Sequence, residues 1–284
     1  MLPILIATVG RPRLTTMEFL TPAVQRHVTL ITNKADQASL SKAYPLAVVM
    51  HCPAQPEPGE KIDLSKKGLS HVRQWILKTW PDQKVFIADD DLPIYVRINR
   101  KKWSDWHARR ASPEEVTEAL EHMSRLTDKY PMVGMSSKAG NNRHEAPIMY
   151  ATRMHNIWTI DCAIANREGF RFDAVPTMQD FWMHLCFLTA GYTTAMIADF
   201  MHCQPGSNTN YKASAKSGCA LYRSLETQLT SARTLSTEWP DFVKLIEKET
   251  KQKGTWFGDK PRAEVYVQWK KALAYGLAKR NPLL

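Results

Sequence analysis

The first 50 residues alternate short apolar runs with a stretch of helical spacing, and this alternation restricts the chain to few folds. The runs at 2–7, 27–32 and 46–50 predict buried strands, and residues 35–43 predict a helix between the last two. Strands that alternate with helices form parallel sheets covered by helices. The sequence therefore predicts an α/β domain.

The pattern continues as far as residue 205 and then changes. Residues 206–284 begin with a stretch rich in Gly, Ser, Asn and Lys and continue mainly with helical spacing. We therefore predict a domain at 1–205 and a mainly helical extension at 206–284 that packs on it. The other elements predicted for the domain are strands at 84–88, 132–135, 148–165 and 192–200, and helices at 64–80, 113–130 and 179–190.

Composition and charge exclude several protein classes. The 44% hydrophobic and 23% charged residues are typical of a globular protein, and every apolar run is far shorter than the ~18 residues of a membrane span. Five cysteines without C-x-x-C spacing and an N-terminus without secretory-signal features lead us to expect an intracellular protein. A net charge of +10 favours an anionic partner, either nucleic acid or a nucleotide.

Three consecutive carboxylates end the apolar run at 84–88. Asp89, Asp90 and Asp91 would lie at the carboxyl end of a strand, where open α/β sheets bind ligands. Side chains two apart on an extended chain point the same way, so Asp89 and Asp91 can face one Mg²⁺ or Mn²⁺ that bridges nucleotide phosphates, while Asp90 faces elsewhere. The alternative is a solvated acidic turn.

Two further segments have residues suited to phosphate. Thr8, Gly10 and Arg11 follow the first predicted strand, again at the ligand-binding edge of the sheet, although Arg11 also fits a surface charge. In the helix before the acidic strand, a glycine leaves room for a ligand and an arginine offers a planar fork for a diphosphate. That second segment contains Lys67, Gly68 and Arg73.

These segments, in this order, resemble glycosyltransferases of the GT-A fold. The stretches IATVGRP, VTLI, KGLSHVRQW and FIADDDL are more narrowly similar to the TET-associated glycosyltransferase family, over roughly residues 2–205. That family is common in phages and is thought to glycosylate hydroxymethylated pyrimidines, such as 5-hydroxymethylcytosine, in DNA. The resemblance implies a GT-A-type mixed sheet flanked by helices, a nucleotide-sugar donor of the UDP-sugar class, and Mn²⁺ or Mg²⁺. It also implies the cytoplasm of an infected bacterial host as the location.

The resemblance implies a role for individual residues of the donor site. Thr8 and Arg11 would hold the nucleotide, Arg73 the ribose or diphosphate, and Asp89 the sugar or ribose. Asp91 would be the metal ligand, with Asp89 beside it. The remaining residues implied for the donor site are Gly10, Lys67 and Gly68.

Two later residues complete the site that the resemblance implies. Asp180 falls where GT-A enzymes often place the catalytic base, at the start of a helix, where a carboxylate can accept the proton of an attacking hydroxyl. An ordinary first-turn Asp is the alternative. His202 follows the strand predicted at 192–200, and a late histidine completes the metal site in many GT-A enzymes. A buried structural histidine is the alternative.

Residues 97–110 combine six Lys and Arg with one Asp, and two tryptophans are interleaved among them. Basic side chains neutralise phosphates and aromatic faces stack on bases, so this segment is predicted to contact nucleic acid. The alternative is a solvated helix face with its tryptophans in the core. The predicted contacts are Arg100, Lys101, Lys102, Trp103, Trp106, Arg109 and Arg110.

The sequence leaves four functions open. A glycosyltransferase acting on DNA is the first, and a glycosyltransferase acting on a protein or glycan is the second. A non-catalytic nucleic-acid-binding protein with a structural acidic triplet is the third. A nucleotidyltransferase or nuclease is the fourth, although no second acidic strand motif is present to complete a two-metal site.

Overall fold

A mixed sheet forms the centre of the protein in the computed structural model, which describes residues 1–99, 108–138, 140, 145–203, 223–249 and 261–280. Within these residues the sheet has ten strands in the order β3-β2-β1-β4-β9-β7-β10-β5-β6, and β8 pairs with the first half of β10. The strands are β1 Ile4–Ala7, β2 Val28–Thr32, β3 Val48–His51, β4 Lys84–Asp89, β5 Ile94–Arg97, β6 Ala108–Arg110, β7 Met132–Ser137, β8 Ile148–Tyr150, β9 Ile157–Asp161 and β10 Ala195–His202.

The first four strands are parallel, as the alternation of strands and helices predicts. β9 then runs antiparallel to both β4 and β7, and β5 runs antiparallel to β10. The sheet is therefore mixed, and the α/β architecture expected from the GT-A resemblance is confirmed. Its helices are α1 Pro22–Gln25, α2 Gln37–Ala43, α3 Leu69–Thr79, α4 Pro113–Leu126, α5 Cys162–Arg167 and α6 Gln179–Thr189.

Side chains of the strands alternate between two apolar cores, one on each face of the sheet. Ile4 and Ile6 of β1 point to the face covered by α4, and Leu5 points to the face covered by α3, α5 and α6. The α4 helix begins as its sequence predicts: Ser112 and Glu115 form a capping box, and Pro113 takes the first helical position. Helices therefore cover both faces of the sheet, and the ends of its strands remain for binding a ligand.

Two predicted elements differ most from the structure in their bounds. The helix predicted at 64–80 begins only at Leu69, because Gly68 adopts φ 119°, outside the helical region. The region predicted as strand at 148–165 is strand only in part. It is divided into β8, β9 and α5, because Ala151 and Asn156 have positive φ angles and break the extended chain, and Asp161 caps α5.

The C-terminal extension contains helices α7 Leu225–Glu238 and α8 Trp269–Arg280 and, between them, an antiparallel pair of strands, β11 Val243–Lys248 and β12 Arg262–Val267. The pair of strands is an addition to the mainly helical prediction. A third apolar core joins α6 to this extension. None of the helices in the described ranges is long and apolar enough to cross a membrane.

Candidate active site

The carboxyl ends of β1 and β4 lie side by side, because the two strands are parallel and Ala7 is opposite Asp89. The antiparallel strand β9 begins at the same edge, where the Asp89 N–H donates to the carbonyl of Asn156 at 2.9 Å. The segment after β1 and the acidic triplet are therefore neighbours. This is the edge at which open α/β sheets bind ligands.

Asp90 is the most deeply buried carboxylate of the triplet, with 7% of its surface exposed. Its Oδ2 accepts a hydrogen bond from Thr8 Oγ1 at 2.6 Å, and its Oδ1 lies 2.9 Å from Arg11 Nη1. Burial raises the pKa of Asp90 to about 7, although the charge of Arg11 opposes that rise. Asp90 thus faces the segment after β1 and not the solvent.

Asp89 is paired with Arg73 across the interface between β4 and α3. Arg73 Nη2 lies 2.9 Å from Asp89 Oδ1, and the guanidinium also stacks on the ring of Trp158, 4.5 Å from its centre. The Arg73 side chain is only 4% exposed, so it is directed at Asp89 from inside the protein. Its contact with the ribose or diphosphate of a donor stays a prediction.

Several charges converge on Asp89. Burial raises the pKa of Asp89 to about 6; Arg73 and Arg223 lower it, while the carboxylates of Asp91 and Asp180 raise it further. Asp180 is the second residue of α6, which begins directly after Met178, whose left-handed backbone (φ 56°) turns the chain into the helix. The structure therefore brings Asp180 into the electrostatic neighbourhood of the triplet, as expected of a site residue. Its role as base stays a prediction.

Asp91 and His202 differ in their access to a ligand. The Asp91 side chain is 24% exposed, and its Oδ2 lies 2.9 Å from Arg11 Nη1. His202 is fully buried, with Nδ1 3.5 Å from Asn156 Nδ2 and its ring set edge-on against His155. Burial holds the pKa of His202 well below its ordinary value, so the imidazole is neutral, and its Nε2 has no hydrogen-bond partner among the residues that the structure describes.

A complete set of metal ligands is not assembled in the part of the chain that the structure describes. There, no group of three His, Cys, Asp or Glu side chains is placed to hold a metal ion. The set of Asp89, Asp91 and His202 accordingly stays a prediction. The donor chemistry of the two carboxylates at the end of β4 still fits a hard divalent cation.

The remaining donor-site residues are held by contacts within the protein. Gly10 adopts φ 66°, and its N–H donates to Asp36 Oδ2 at 2.6 Å. Lys67 Nζ lies 2.6 Å from Glu60 Oε2 on the surface, and Gly68 precedes the first residue of α3. Gly10 precedes Arg11, which contacts Asp90 and Asp91 of the triplet. Lys67, in contrast, is paired with Glu60 on the protein surface.

Only two of the predicted nucleic-acid contacts lie within the described residues. Arg109 forms a two-pronged ion pair with Glu115, at 2.8 and 2.5 Å, and Arg110 lies over the ring of Phe19 at 5.0 Å. Both cations therefore have partners inside the protein. The other predicted contacts, Arg100, Lys101, Lys102, Trp103 and Trp106, lie outside the described residues.

Three site residues have no role in the sequence prediction. For Asp90, the alternation of side chains along a strand predicts only that it faces away from a cation held by Asp89 and Asp91. Trp158 has no sequence signal that separates it from other buried strand residues. Arg223 follows the residues that the structure leaves undescribed and reaches Asp89 only through the fold.

Comparisons with known proteins place these observations in a family. No curated protein matches the chain. The crystal structure of GalNAc-T7 with UDP, GalNAc and Mn²⁺ is similar at 11% identity and a TM-score of 0.38, over 72% of this chain and 44% of that one. At these values the likeness supports no conclusion about what the chain binds. Residues 2–210 match the family described as TET-Associated Glycosyltransferase. The chain therefore belongs to the TET-associated glycosyltransferase family.

Proposed function

We propose that this glycosyltransferase transfers a sugar from a nucleotide-sugar donor, a UDP-sugar, to the hydroxyl of a hydroxymethylated pyrimidine in phage DNA. The observation that carries the proposal is the convergence of Thr8, Arg11, the acidic triplet and Asp180 on one edge of the sheet. The site thus combines the cationic side chain of Arg11, several carboxylates and a candidate base. Displacement of a diphosphate by a hydroxyl requires groups of these kinds. An infected host cell is the setting that this substrate implies.

The donor would lie over the segment after β1. Arg11 is partly exposed, with 24% of its side chain accessible, and its guanidinium suits the oxygens of a diphosphate. Thr8 and Gly10 fix the course of the backbone beneath it through their bonds to Asp90 and Asp36. Arg11 would therefore bind the leaving group and stabilise the charge that develops on it.

A divalent cation fits the carboxylates at the end of β4, and Asp91 with Asp89 would hold it. When bound, such a cation, Mn²⁺ or Mg²⁺, supplies charge that neutralises the leaving diphosphate. Asp91→Asn keeps the shape of the side chain and removes the charge. We expect this variant to lose turnover and metal-dependent UDP binding while folding normally.

Asp180 would accept the proton of the acceptor hydroxyl while that oxygen attacks the anomeric carbon. Its place in the first turn of α6 suits an acidic side chain, because the N-terminal end of a helix carries partial positive charge. Asp180→Asn should lower turnover by about 10²-fold or more with little change in donor affinity. A large loss of donor affinity would place Asp180 in the donor site instead.

The test of both roles uses hydroxymethylated DNA, a panel of nucleotide sugars and mass spectrometry of the product. Asp82→Asn is the matched control, because Asp82 is an exposed aspartate at the opposite end of β4. Asp82→Asn should leave turnover unchanged. Full activity of Asp91→Asn would contradict the metal assignment, and glycosylation by no nucleotide sugar in the panel would contradict the DNA acceptor.

A protein or glycan acceptor is the second candidate, and the engagement of Arg109 and Arg110 inside the protein favours it. DNA affinity measured across a salt series separates the two. Each phosphate contact should add about 0.9 to the log–log slope on duplex DNA. Replacing Arg100, Lys101 and Lys102 with Gln should flatten that slope; no binding of DNA by the wild type would favour the second acceptor.

A further inference from the structure

The middle carboxylate of the acidic triplet is joined to the segment after β1 by both of its oxygens. Asp90 Oδ2 accepts from Thr8 Oγ1 at 2.6 Å, and Asp90 Oδ1 lies 2.9 Å from Arg11 Nη1. The residue is 7% exposed. Asp90 is therefore used within the protein and does not face a donor or a cation.

Hydrogen bonds of Thr16 fasten the same segment at a second point. Thr16 Oγ1 donates to the Asp89 carbonyl at 2.7 Å and accepts from the Leu92 N–H at 2.9 Å, and the Thr16 N–H donates to the Asp90 carbonyl at 3.2 Å. These bonds fix the backbone beyond the turn. The Arg11 guanidinium itself is held by carboxylates.

Arg11 Nη1 lies 2.9 Å from an oxygen of Asp90 and 2.9 Å from an oxygen of Asp91, so one nitrogen joins the buried carboxylate to the accessible one. Asp91 is the carboxylate proposed above to hold the metal ion. Asp90, in contrast, is buried and meets Arg11 from within the protein.

We propose that Asp90 is a positioning residue of the donor site: its carboxylate holds Arg11 beside Asp91, where the guanidinium meets the diphosphate of a nucleoside-diphosphate sugar. This inference rests on the proposed function, from which the diphosphate comes. The physical gain is pre-organisation. A long side chain that is already fixed loses less conformational freedom when it binds a phosphate than one that is free on a turn.

The first test compares three variants, Asp90→Asn, Arg11→Gln and the double variant, by the affinity of each folded protein for UDP with Mn²⁺ in calorimetry. The amide of Asp90→Asn still accepts from Thr8 but has lost the buried one of the two charges that hold Arg11. We expect each single variant to weaken UDP binding by about tenfold, the loss expected when one charge-assisted contact is removed.

Because Asp90 acts through Arg11, the double variant should bind UDP no more weakly than Arg11→Gln alone. A purely structural role of Asp90 would not produce this non-additivity at temperatures at which all variants are folded. Wild-type affinity of Asp90→Asn, or an additive loss of about 100-fold in the double variant, would overturn the proposal.

The second test needs no donor. Phenylglyoxal modifies accessible arginines, and peptide mass spectrometry follows the rate at Arg11. We expect Asp90→Asn to raise that rate several-fold, with Asp82→Asn as the control that leaves it unchanged. An unchanged rate at Arg11 in Asp90→Asn would overturn the proposal.

Failure of the proposed function gives a different result. The wild type would then bind no UDP, while phenylglyoxal would still modify Arg11 faster in Asp90→Asn than in the wild type. That result would support the contact in which Asp90 holds Arg11 and would exclude the diphosphate as the ligand of Arg11. If Asp90→Asn does not fold, Asp90→Ser carries the same measurements, because its smaller polar side chain fits the same space and has no charge.

Discussion

Gly276 lies where α8 crosses the C-terminal end of α6, and a methyl group has no room there. A Cβ at this position would lie 2.0 Å from the carbonyl oxygen of Leu188, 2.5 Å from the backbone nitrogen of Gly191 and 2.8 Å from the carbonyl carbon of Thr189. All three are backbone atoms, so no rotation of a side chain relieves the contact. Gly276→Ala therefore forces the two helices apart.

The change in the free energy of unfolding caused by Gly276→Ala is the sum of two opposing effects. In an unobstructed helix, replacing glycine with alanine stabilises by about 0.5–1 kcal/mol. Overpacking a close contact costs about 1–3 kcal/mol, and a contact made only with backbone belongs at the upper end of that range. We expect Gly276→Ala to lower the free energy of unfolding by about 2 kcal/mol.

Urea unfolding of the whole chain measures this loss. Ala278→Gly is the matched control: it is the reverse exchange at an exposed position of the same helix and should cost only about 0.5–1 kcal/mol. Gly276→Ala should be the less stable of the two variants. If Gly276→Ala is as stable as the wild type or more stable, helix propensity governs this position and the close crossing of α6 and α8 is refuted.

Three further changes have outcomes that the structure fixes. Burial lowers the pKa of His184 to about 3. Below pH 6.5 the unfolded chain therefore binds a proton at this histidine, whereas the folded protein binds it only near pH 3. Acidification between these two values should lower the free energy of unfolding by about 1.4 kcal/mol per pH unit. Urea unfolding of His184→Gln at pH 7 and pH 5 should show a shallower loss than the wild type; equal losses would mean that His184 protonates in the folded state. Arg73→Gln leaves Asp89 without its ion-pair partner and should cost about 3–5 kcal/mol of unfolding free energy, part of which the added change Asp89→Asn restores; a loss that Asp89→Asn only deepens would contradict the pairing. Arg109→Gln should leave DNA affinity and its salt slope unchanged, because Arg109 is already paired with Glu115, and a lower slope in a filter-binding series would show that DNA displaces that pair.

The sequence by itself determined the class of the fold and the place of the candidate site. The alternation of apolar runs and helical segments predicts parallel strands, and parallel strands bring the residues after β1 and after β4 to one edge, so Thr8, Arg11 and Asp89 to Asp91 were identified together. The capping box at Ser112 likewise needs only local bonds.

Tertiary structure alone decided how those residues are used, because burial and pairing depend on chain segments far apart in sequence. The contacts of Asp90 with Arg11 and of Arg73 with Asp89 exist only because β1, α3 and β4 pack together. The division of 148–165 into two strands and a helix, the approach of Arg223 to Asp89 and the crossing at Gly276 likewise come from long-range contacts. Local propensity does not encode such contacts, since each one depends on what the rest of the chain places opposite it.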